Sequence, residues 1–433
     1  MAMGRVTVGL LGCGTVGGGV VRLIVENAAR IEARVGKRVE IARVLVRDRN
    51  KSRGSGCSST WLTTDAAEVT DDPGIDIVVE VMGGSAAESH IRRALANGKS
   101  VVTANKLLLA TKGSELLSLA KERGVDLAFE GAVGGGIPIV RTLRDAFASD
   151  TVTALTGIVN GTSNYVLTRM VEAGLSFEAA VSEAQALGYA EADPSMDVDG
   201  HDAAQKLQVL ALLAFGAFVP TSAVHTEGIR GIAPVDHRMS ARFGYRIKHL
   251  AIGRVRDGAL ELRVHPTLVP EKSVLANVSG VLNGVLVDGR ALGPCLVTGQ
   301  GAGAMPTAVS VVSDVIDVAR SLVAGVRGMS TRGITAAERP IAPMGEVATR
   351  YYLRLTVKDE PGVVAKIARE LADCGVSIEQ MVQEVPSGAA GLAATIVIVT
   401  HRAREAGVVA ALEAIAKGSY LAESTRLFRI EDV

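Results

Sequence analysis

The chain has 433 residues, of which 48 % are hydrophobic and 21 % are charged. This composition is that of an ordinary globular protein, and the length predicts two to four domains at roughly 100–200 residues each. Lysine plus arginine and aspartate plus glutamate both total 46, so the formal net charge is zero. Without a basic excess, we do not expect the protein to bind nucleic acid.

The cysteines and the longest apolar run bear on location. Cys13, Cys57, Cys295 and Cys374 are far apart and form no CxxC pair, so we expect no disulfide framework and predict a cytoplasmic location. The apolar run 207–218 is shorter than the roughly 20 residues that span a bilayer, and we therefore predict no membrane association.

The first part of the chain alternates strands with helices. Strands are predicted at 5–11, 39–46, 75–80, 100–103 and 125–129, and helices at 15–33, 86–96 and 113–123. This alternation predicts an α/β domain with a Rossmann-type, doubly wound parallel sheet over residues 1–135.

The pattern changes after about residue 136. Helices at 163–172, 176–186 and 203–218 mix with strands at 259–269 and 284–287, which predicts an α+β substrate domain over 136–297. A helix at 305–323 is expected to pack back on the first domain, so about 298–325 would complete it. Residues 326–349 lack periodicity and are predicted to be a linker.

A compact unit follows over 350–433. Strands at 351–357, 378–384 and 393–400 alternate with helices at 363–374 and 402–416. This β-α-β-β-α-β order predicts a ferredoxin-like domain.

A glycine loop follows the first strand and opens the first helix. Gly12-Cys13-Gly14-Thr15-Val16-Gly17 has the form GxGxxG, in which the glycines allow a tight turn, close approach of a pyrophosphate and helix–strand packing. The sequence therefore predicts dinucleotide binding. The alternative is a glycine-rich turn between packed elements.

The end of the second strand carries Arg47 where a ribose-binding acid would be expected for NAD. An arginine there suits the 2′-phosphate of NADP, so Arg47 favours NADP or tolerance of both cofactors. Asp48 could still reach a ribose, and Arg47 could be an ordinary surface side chain.

Two further segments carry lysines. Lys106 follows a strand of the parallel sheet, at the edge where ligands bind. Asp202 and Lys206 are four residues apart and share one face of a helix, as a proton donor and its partner would. Exposed ion pairs have the same spacing, and the residues alone do not decide between the two interpretations.

The run Glu130–Pro138 is rich in glycine and offers one carboxylate with several main-chain carbonyls. Hard cations prefer such oxygen ligands. A flexible hinge between domains would have the same composition.

Six motifs together resemble the homoserine dehydrogenase family, in its long form with a C-terminal ACT domain. The motifs are 9–17, 103–106, 130–138, 160–165, 187–194 and 197–207, and the resemblance spans the whole chain. It implies reversible NAD(P)-dependent conversion of L-aspartate 4-semialdehyde to L-homoserine, on the route to threonine, methionine and isoleucine.

The resemblance also implies roles for individual residues. Lys206 matches the proton donor, Lys106 the substrate-side lysine, and Glu191 and Asp202 the residues that hold the substrate. The other residues it implies are Thr162, Tyr189 and Asp197 at the substrate, Gly12, Gly14, Thr15, Val16, Gly17, Arg47, Lys106 and Gly303 at the cofactor, and Glu130, Val133, Gly135 and Ile137 at a monovalent cation, usually sodium. No role is expected for His201.

The ferredoxin-like unit resembles an ACT domain, through the turn 359–362 and the segment 375–378. This implies feedback inhibition by L-threonine and a homodimer or homotetramer formed partly by 136–297. A purely structural dimerisation module is the alternative. For the whole chain, the rivals are an aspartate semialdehyde dehydrogenase, which needs a catalytic cysteine, and a nucleotide-sensing regulator without catalysis.

Overall fold

The computed structural model describes residues 4–51, 56–384 and 393–433. Its contacts divide the chain into two compact units. Unit 1 contains the residues up to 155 together with 202–223 and 282–339, and unit 2 contains 156–201, 224–281 and 340–433. Within the described ranges, no helix has the length and apolarity needed to cross a bilayer.

The described residues up to 158 form short strands and helices. Their bounds are β1 Arg5–Leu11, α1 Thr15–Glu26, α2 Ala28–Val35, β2 Arg38–Leu45, β3 Leu62–Thr63, α3 Ala67–Thr70, β4 Ile77–Glu80, α4 Glu88–Ala96, β5 Ser100–Thr103, α5 Lys106–Arg123, β6 Leu127–Ala128, α6 Ile139–Arg141 and β7 Val152–Ile158.

The remaining elements are longer on average. Their bounds are α7 Gly161–Glu172, α8 Phe177–Ala186, α9 Ser195–Val198, α10 His201–Phe215, β8 His225–Thr226, α11 Pro234–Arg242, β9 Tyr245–Arg256, β10 Ala259–Pro270, β11 Leu282–Gly289, β12 Gly293–Gln300, α12 Ala304–Val323, β13 Ala348–Lys358, α13 Val363–Asp373, β14 Ile378–Glu384, β15 Ala393–Thr400, β16 Ala403–Arg404, α14 Glu405–Ala416 and β17 Arg426–Ile430.

Unit 1 contains a parallel sheet in the order β3-β2-β1-β4-β5-β6. This is the Rossmann strand order, and it reverses direction between β1 and β4. Ligands bind such sheets at the carboxyl ends of the strands beside that reversal. We call this side of the sheet the carboxyl edge.

The core of unit 1 is built from the strands and two helices that cover them. Apolar side chains of β1, α1 and α12 are buried together, including Leu10, Ile24 and Val315. Helices α1 and α12 approach closely at Gly19, where a Cβ would lie 2.9 Å from that of Ala308. Helix α12 therefore packs against α1, the helix that follows the glycine loop.

Unit 2 contains a mixed sheet. Strands β9 and β10 form a long antiparallel hairpin, whose turn Asp257-Gly258 has two residues at positive φ, as a type I′ turn requires. The last strand β17 pairs parallel with β10 and antiparallel with β13. From β17 the order continues β13-β15-β14, which is the ferredoxin-like arrangement. The predicted fold class is confirmed.

Several element bounds differ from the prediction. The helix expected at 15–33 is two helices, because the chain breaks at Asn27, whose side-chain amide donates to the carbonyl of Leu23. Helix α5 begins at Lys106 and not at Gly113, which lies inside the helix. Sequence patterns did not indicate β7, β9, β12 or α11.

Candidate active site

The glycine loop lies at the carboxyl edge of unit 1, directly after β1. Gly12 has a φ of +100°, and a Cβ on Gly17 would lie 2.4 Å from the carbonyl oxygen of Gly12, so both positions need glycine. Gly14 and Thr15 are exposed where α1 begins, and no side chain caps this helix. The first N–H groups of α1 are thus available to a phosphate.

Arg47 follows β2, which pairs with β1, so it lies at the same edge. It is exposed, as is Asp48, whose carboxylate accepts a hydrogen bond of 2.8 Å from the N–H of Asn50. An exposed guanidinium here is accessible to the ribose end of a dinucleotide.

Three of the predicted residues come together in unit 1. Asp202 Oδ2 lies 2.8 Å from Lys206 Nζ, and Asp202 Oδ1 lies 3.1 Å from Lys106 Nζ. The side chains of Asp202 and Lys206 are 9 % and 11 % exposed, against 36 % for Lys106. The pair four residues apart is therefore buried, unlike an ordinary surface ion pair. We call Lys106, Asp202 and Lys206 the lysine cluster.

Local structure explains where the cluster forms. Helix α10 buries nearly its whole circumference from Asp202 to Leu212, so Lys206 is carried into the interior by its own helix. Lys106 is the first residue of α5, and the side chain of Asn105 caps that helix by accepting from the N–H of Leu108 at 3.2 Å. The cap fixes the position from which Lys106 extends.

Glu130 lies buried at a turn after β6. Its two carboxylate oxygens accept from the N–H groups of Val140 and Arg141 at 2.9 and 2.8 Å, and its own N–H donates to Asp314 at 2.7 Å. Burial raises the pKa of Glu130, and it raises the pKa of Asp314, which also faces Glu130, to about 7.

The same turn adjoins the segment 301–303, whose last residue, Gly303, is predicted at the cofactor. A Cβ on Gly135 would lie 2.5 Å from the carbonyl oxygen of Gly301, and the carbonyl of Gly135 accepts from the hydroxyl of Ser310 at 2.6 Å. Gly303 immediately precedes α12. Val133 and Ile137, which flank Gly135 in the sequence, are buried.

The other predicted substrate residues belong to unit 2. The hydroxyl of Thr162 donates to the carbonyl of Tyr189 at 2.8 Å, and Asn160 Nδ2 donates to Asp197 Oδ1 at 2.7 Å. Tyr189 and Glu191 are both exposed. The structure thus gathers Lys106, Asp202 and Lys206 in unit 1, while the segment carrying Thr162, Tyr189 and Asp197 is organised within unit 2.

Comparison with known proteins identifies the family. The family model described as the NAD-binding domain of homoserine dehydrogenase matches residues 12–130, that of homoserine dehydrogenase matches 138–316, and that of the ACT domain matches 351–417. The homoserine dehydrogenase of Pseudomonas aeruginosa is 42 % identical over 95 % of this chain and 96 % of its own length.

This chain belongs to the homoserine dehydrogenase family.

Solved structures of the homoserine dehydrogenase family agree with the fold. The enzyme from Thiobacillus denitrificans is 44 % identical, matches with a TM-score of 0.93, and the match covers 99 % of this chain and 98 % of that one. A hyperthermophilic archaeal homoserine dehydrogenase mutant in complex with NADPH is 27 % identical, has a TM-score of 0.62, and covers 72 % of this chain and 97 % of its own.

The family assignment fixes the reaction. The enzyme is an NAD(P)-dependent oxidoreductase that acts on a CH–OH group and interconverts L-homoserine and L-aspartate 4-semialdehyde, a step of amino-acid biosynthesis. It binds a nicotinamide cofactor and carries an ACT domain. The rival interpretations, an aspartate semialdehyde dehydrogenase and a regulator without catalysis, are not supported.

One buried carboxylate at the carboxyl edge was not predicted from the sequence. Glu80, the last residue of β4, is fully buried and hydrogen-bonded to the turn that follows it. The signal was present in the sequence, because a glutamate ends an otherwise apolar strand and two glycines follow shortly after, at 83 and 84.

Proposed function

We propose that Lys206 is the general acid and base of homoserine dehydrogenase chemistry in this enzyme, with Asp202 holding it in place and Lys106 contacting the substrate. The observation that carries this proposal is that one buried carboxylate, Asp202, binds both ammonium groups, at 2.8 and 3.1 Å. Such a shared carboxylate fixes two flexible lysines relative to each other.

The chemistry requires a proton to leave the hydroxyl oxygen of homoserine while a hydride leaves the carbon that bears it. When bound, the nicotinamide supplies the hydride acceptor, or the donor in the reverse direction. In oxidation the neutral amine of Lys206 takes the hydroxyl proton and becomes an ammonium; in reduction the ammonium gives a proton to the aldehyde oxygen and becomes the neutral amine. Asp202, which is itself buried, keeps the amine within reach.

The charge of the lysine cluster suits the substrate. Lysine ammonium groups form charge-assisted hydrogen bonds with carboxylates, and the substrate carries a carboxylate. We propose that Lys106, the more exposed lysine, meets that carboxylate. Glu191, Thr162, Tyr189 and Asp197 are proposed to bind the remainder of the amino acid.

The test is the turnover of L-homoserine, followed by the absorbance of reduced nicotinamide. We expect Lys206→Ala to lower kcat about a thousandfold, within the range found for general acid–base groups, with an unchanged Kd for NADPH. Lys112→Ala is the matched control, because Lys112 is a lysine of the same helix α5 whose side chain is 41 % exposed and pairs with Glu115 at 3.0 Å. A wild-type kcat in Lys206→Ala would remove Lys206 from the mechanism.

For the cofactor, we propose NADP, with NAD tolerated. The glycine loop is assigned to the pyrophosphate and Arg47 to the 2′-phosphate. Arg47 is exposed at the carboxyl edge, which supports this assignment. The archaeal relative was solved in complex with NADPH.

We also propose a monovalent cation, sodium, at the turn that carries Glu130. The donors would be Glu130 and the carbonyls of Val133, Gly135 and Ile137, an oxygen set that suits a hard cation. The carbonyl of Gly135 already accepts one hydrogen bond, and a carbonyl has a second lone pair. The melting temperature should rise when sodium replaces choline, and equal values would contradict the proposal.

The ACT domain is proposed to bind L-threonine and to inhibit the enzyme. The matched ACT module follows the catalytic part of the chain. The reaction of that part is proposed to lead to threonine, so threonine is the amino acid that the module would sense. Inhibition of homoserine oxidation by L-threonine, but not by D-threonine, is the expected result. If L-threonine leaves the rate as unchanged as D-threonine does, the module has only a structural role.

We propose a homodimer or homotetramer in the cytoplasm. Strand β14 lies at the end of the strand order in unit 2 and exposes Met381, and an edge strand of this kind can pair with a second copy. Light scattering after size exclusion should give at least twice the mass of the chain. A monomeric mass would contradict the proposal.

A further inference from the structure

Glu80 is a buried carboxylate that the proposed proton transfer does not use. It is fully buried at the end of β4, between Leu11 of β1 and Thr103 of β5 in the strand register. Its position is therefore directly beneath the strand reversal at which a dinucleotide binds.

The hydrogen bonds of Glu80 go to neutral groups. Oε1 accepts from the N–H groups of Met82 and Gly83 at 2.8 and 2.9 Å, and Oε2 accepts from the hydroxyl of Thr103 at 2.6 Å. In the part of the chain that the structure describes, no lysine or arginine forms an ion pair with Glu80. A buried carboxylate is costly unless it is hydrogen-bonded, so these contacts hold the charge in the interior.

The first arm of this network reaches the glycine loop. Met82 and Gly83 begin a turn held by Glu80 Oε1, in which Gly83 and Gly84 have φ values of +71° and +72°. This turn packs against Gly12, where a Cβ would lie 3.0 Å from Met82 Cγ and 3.2 Å from Met82 Cα. Displacing the turn would thus disturb the wall of the proposed dinucleotide site.

The second arm reaches the start of α5. The hydroxyl of Thr103 donates to Glu80 and accepts from the N–H of Asn105 at 3.0 Å. Asn105 Nδ2 donates to the carbonyl of Gly84 at 2.8 Å, which joins the two arms. Because Asn105 also caps α5, this network fixes the origin of Lys106.

We infer that Glu80 is a positioning residue, which holds the 82–84 turn against the glycine loop for the cofactor and, through Thr103 and Asn105, holds the helix start that presents Lys106 to the substrate. The cofactor half stands on the nucleotide site alone. The second half rests on the proposed contact of Lys106 with the substrate.

The chain offers a matched control for this inference. Asp126 is also buried and also accepts from backbone N–H groups, those of Gly328 at 3.0 Å and Ser330 at 2.7 Å. It immediately precedes β6, so it lies at the amino ends of the same parallel strands. Loss of its charge should weaken the fold without reaching the cofactor.

The experiment compares Glu80→Gln with Asp126→Asn. Each variant removes one charge and replaces one acceptor oxygen by a donor. For Glu80→Gln we expect the Kd for NADPH, from a titration of its fluorescence, to rise about tenfold, as loss of charge-assisted hydrogen bonds predicts. For Asp126→Asn we expect a lower melting temperature but a Kd within about twofold of wild type.

Two variants of Thr103 test the hydrogen bonds from Glu80 to the start of α5 without substituting Glu80 itself. Thr103→Val keeps the shape but loses the hydroxyl, and we expect a KM for homoserine raised about threefold to tenfold. Thr103→Ser keeps the hydroxyl and should restore the wild-type KM. Such rescue depends on the hydrogen bonds and not on packing.

Three results decide the matter. A wild-type Kd for NADPH in Glu80→Gln, with only the melting temperature lowered, overturns the inference. An equal Kd increase in Glu80→Gln and Asp126→Asn also overturns it, because general destabilisation would then explain both. A raised Kd in Glu80→Gln alone, with a wild-type homoserine KM in Thr103→Val, supports the cofactor half and overturns the positioning of Lys106 through Thr103. The KM of Lys106→Ala tests separately whether Lys106 contacts the substrate.

Discussion

Two groups of charged side chains, one in each unit, use similar residue types in different ways. The lysine cluster of unit 1 places two lysines on one aspartate, and one of these lysines, Lys106, is partly exposed. In unit 2, two arginines of β10 and β17 meet glutamates from four segments. We call this group the arginine cluster, formed by Glu227, Glu261, Arg263, Glu405, Arg429 and Glu431.

The arginines of the arginine cluster form ion pairs with glutamates of the same cluster. Arg429 donates to Glu405 and, at 2.7 and 2.8 Å, to both oxygens of Glu227, while Arg263 lies 2.7 Å from Glu431. Burial alone would raise the pKa of Glu227, but hydrogen bonds from His225 and Arg429 hold it well below its ordinary value. Peripheral Arg254 and Arg256 pair with Glu431 and Glu261, so four arginines face four glutamates.

The comparison separates a structural charge cluster from a ligand site. Where positive and negative groups balance, no charge remains to attract a ligand, and the interactions contribute to stability or specificity of the fold. Where two lysines meet one aspartate at the carboxyl edge of a parallel sheet and one lysine is partly exposed, the carboxylate of a substrate can approach that lysine. Mutations should therefore affect stability in the arginine cluster and turnover in the lysine cluster.

The largest effect on stability is expected for Arg429→Met. The change would leave the buried carboxylate of Glu405 without its arginine, and breaking a buried pair on one side costs about 3–5 kcal/mol. Urea unfolding gives the free energy, and Arg22→Met, in an exposed pair with Glu26, is the control, with an expected loss below about 0.5 kcal/mol.

The same variant tests the division of roles directly. The kcat of folded Arg429→Met should stay within about twofold of wild type, because the arginine cluster has no part in the proposed chemistry. A large loss of kcat without a loss of stability would reverse the comparison.

A smaller loss of stability is expected when the pH is lowered, because of His237 in α11 of unit 2. Burial lowers the pKa of His237 to about 4, whereas an unfolded histidine binds a proton near pH 6.5. Between these values the unfolded state binds more protons, so stability falls as the pH falls from about 6.5 to 4. By pH 5 the loss should be about 2 kcal/mol.

The measurement is the free energy of unfolding at pH 7 and pH 5. His237→Leu should lack this part of the acid sensitivity, and His401→Leu, at an exposed position, should retain it. Equal acid sensitivity of His237→Leu and wild type would mean that other groups govern the response.

The smallest effect is expected at the surface of unit 1, for Arg47→Ala. If Arg47 contacts the 2′-phosphate, the KM for NADP should rise about tenfold while that for NAD changes less than about twofold. Arg49→Ala is the control, because Arg49 is exposed two residues further on. An unchanged NADP/NAD preference in Arg47→Ala would make it an ordinary surface residue.

Local patterns predicted much of unit 1 but little of what joins its distant segments. The bounds of β1 and β5 were predicted correctly because each is a short apolar run between clear breakers. Gly113 suggested a helix start, yet it faces Leu212 and Phe218 inside α5, where a small residue fits the packing. Here tertiary contact outweighed local propensity.

The candidate site shows the same limit. Spacing alone predicted the Asp202–Lys206 pair, since residues four apart share a helix face. It could not place Lys106 on the same carboxylate 96 positions away in the chain, an arrangement that depends on the tertiary fold. The arginine cluster was not predicted at all, because its members lie far apart in the chain and its charges appear as scattered surface residues in the sequence.

The roles of the two lysines are distinguished most directly by measuring kcat and KM for L-homoserine in Lys106→Ala and Lys206→Ala side by side. The two lysines share Asp202, so each variant leaves the other lysine its partner. We expect a kcat about a thousandfold lower with little change in KM for Lys206→Ala, and chiefly a higher KM for Lys106→Ala. The reverse pattern, with the loss of kcat at Lys106 and a nearly normal Lys206→Ala, would contradict it.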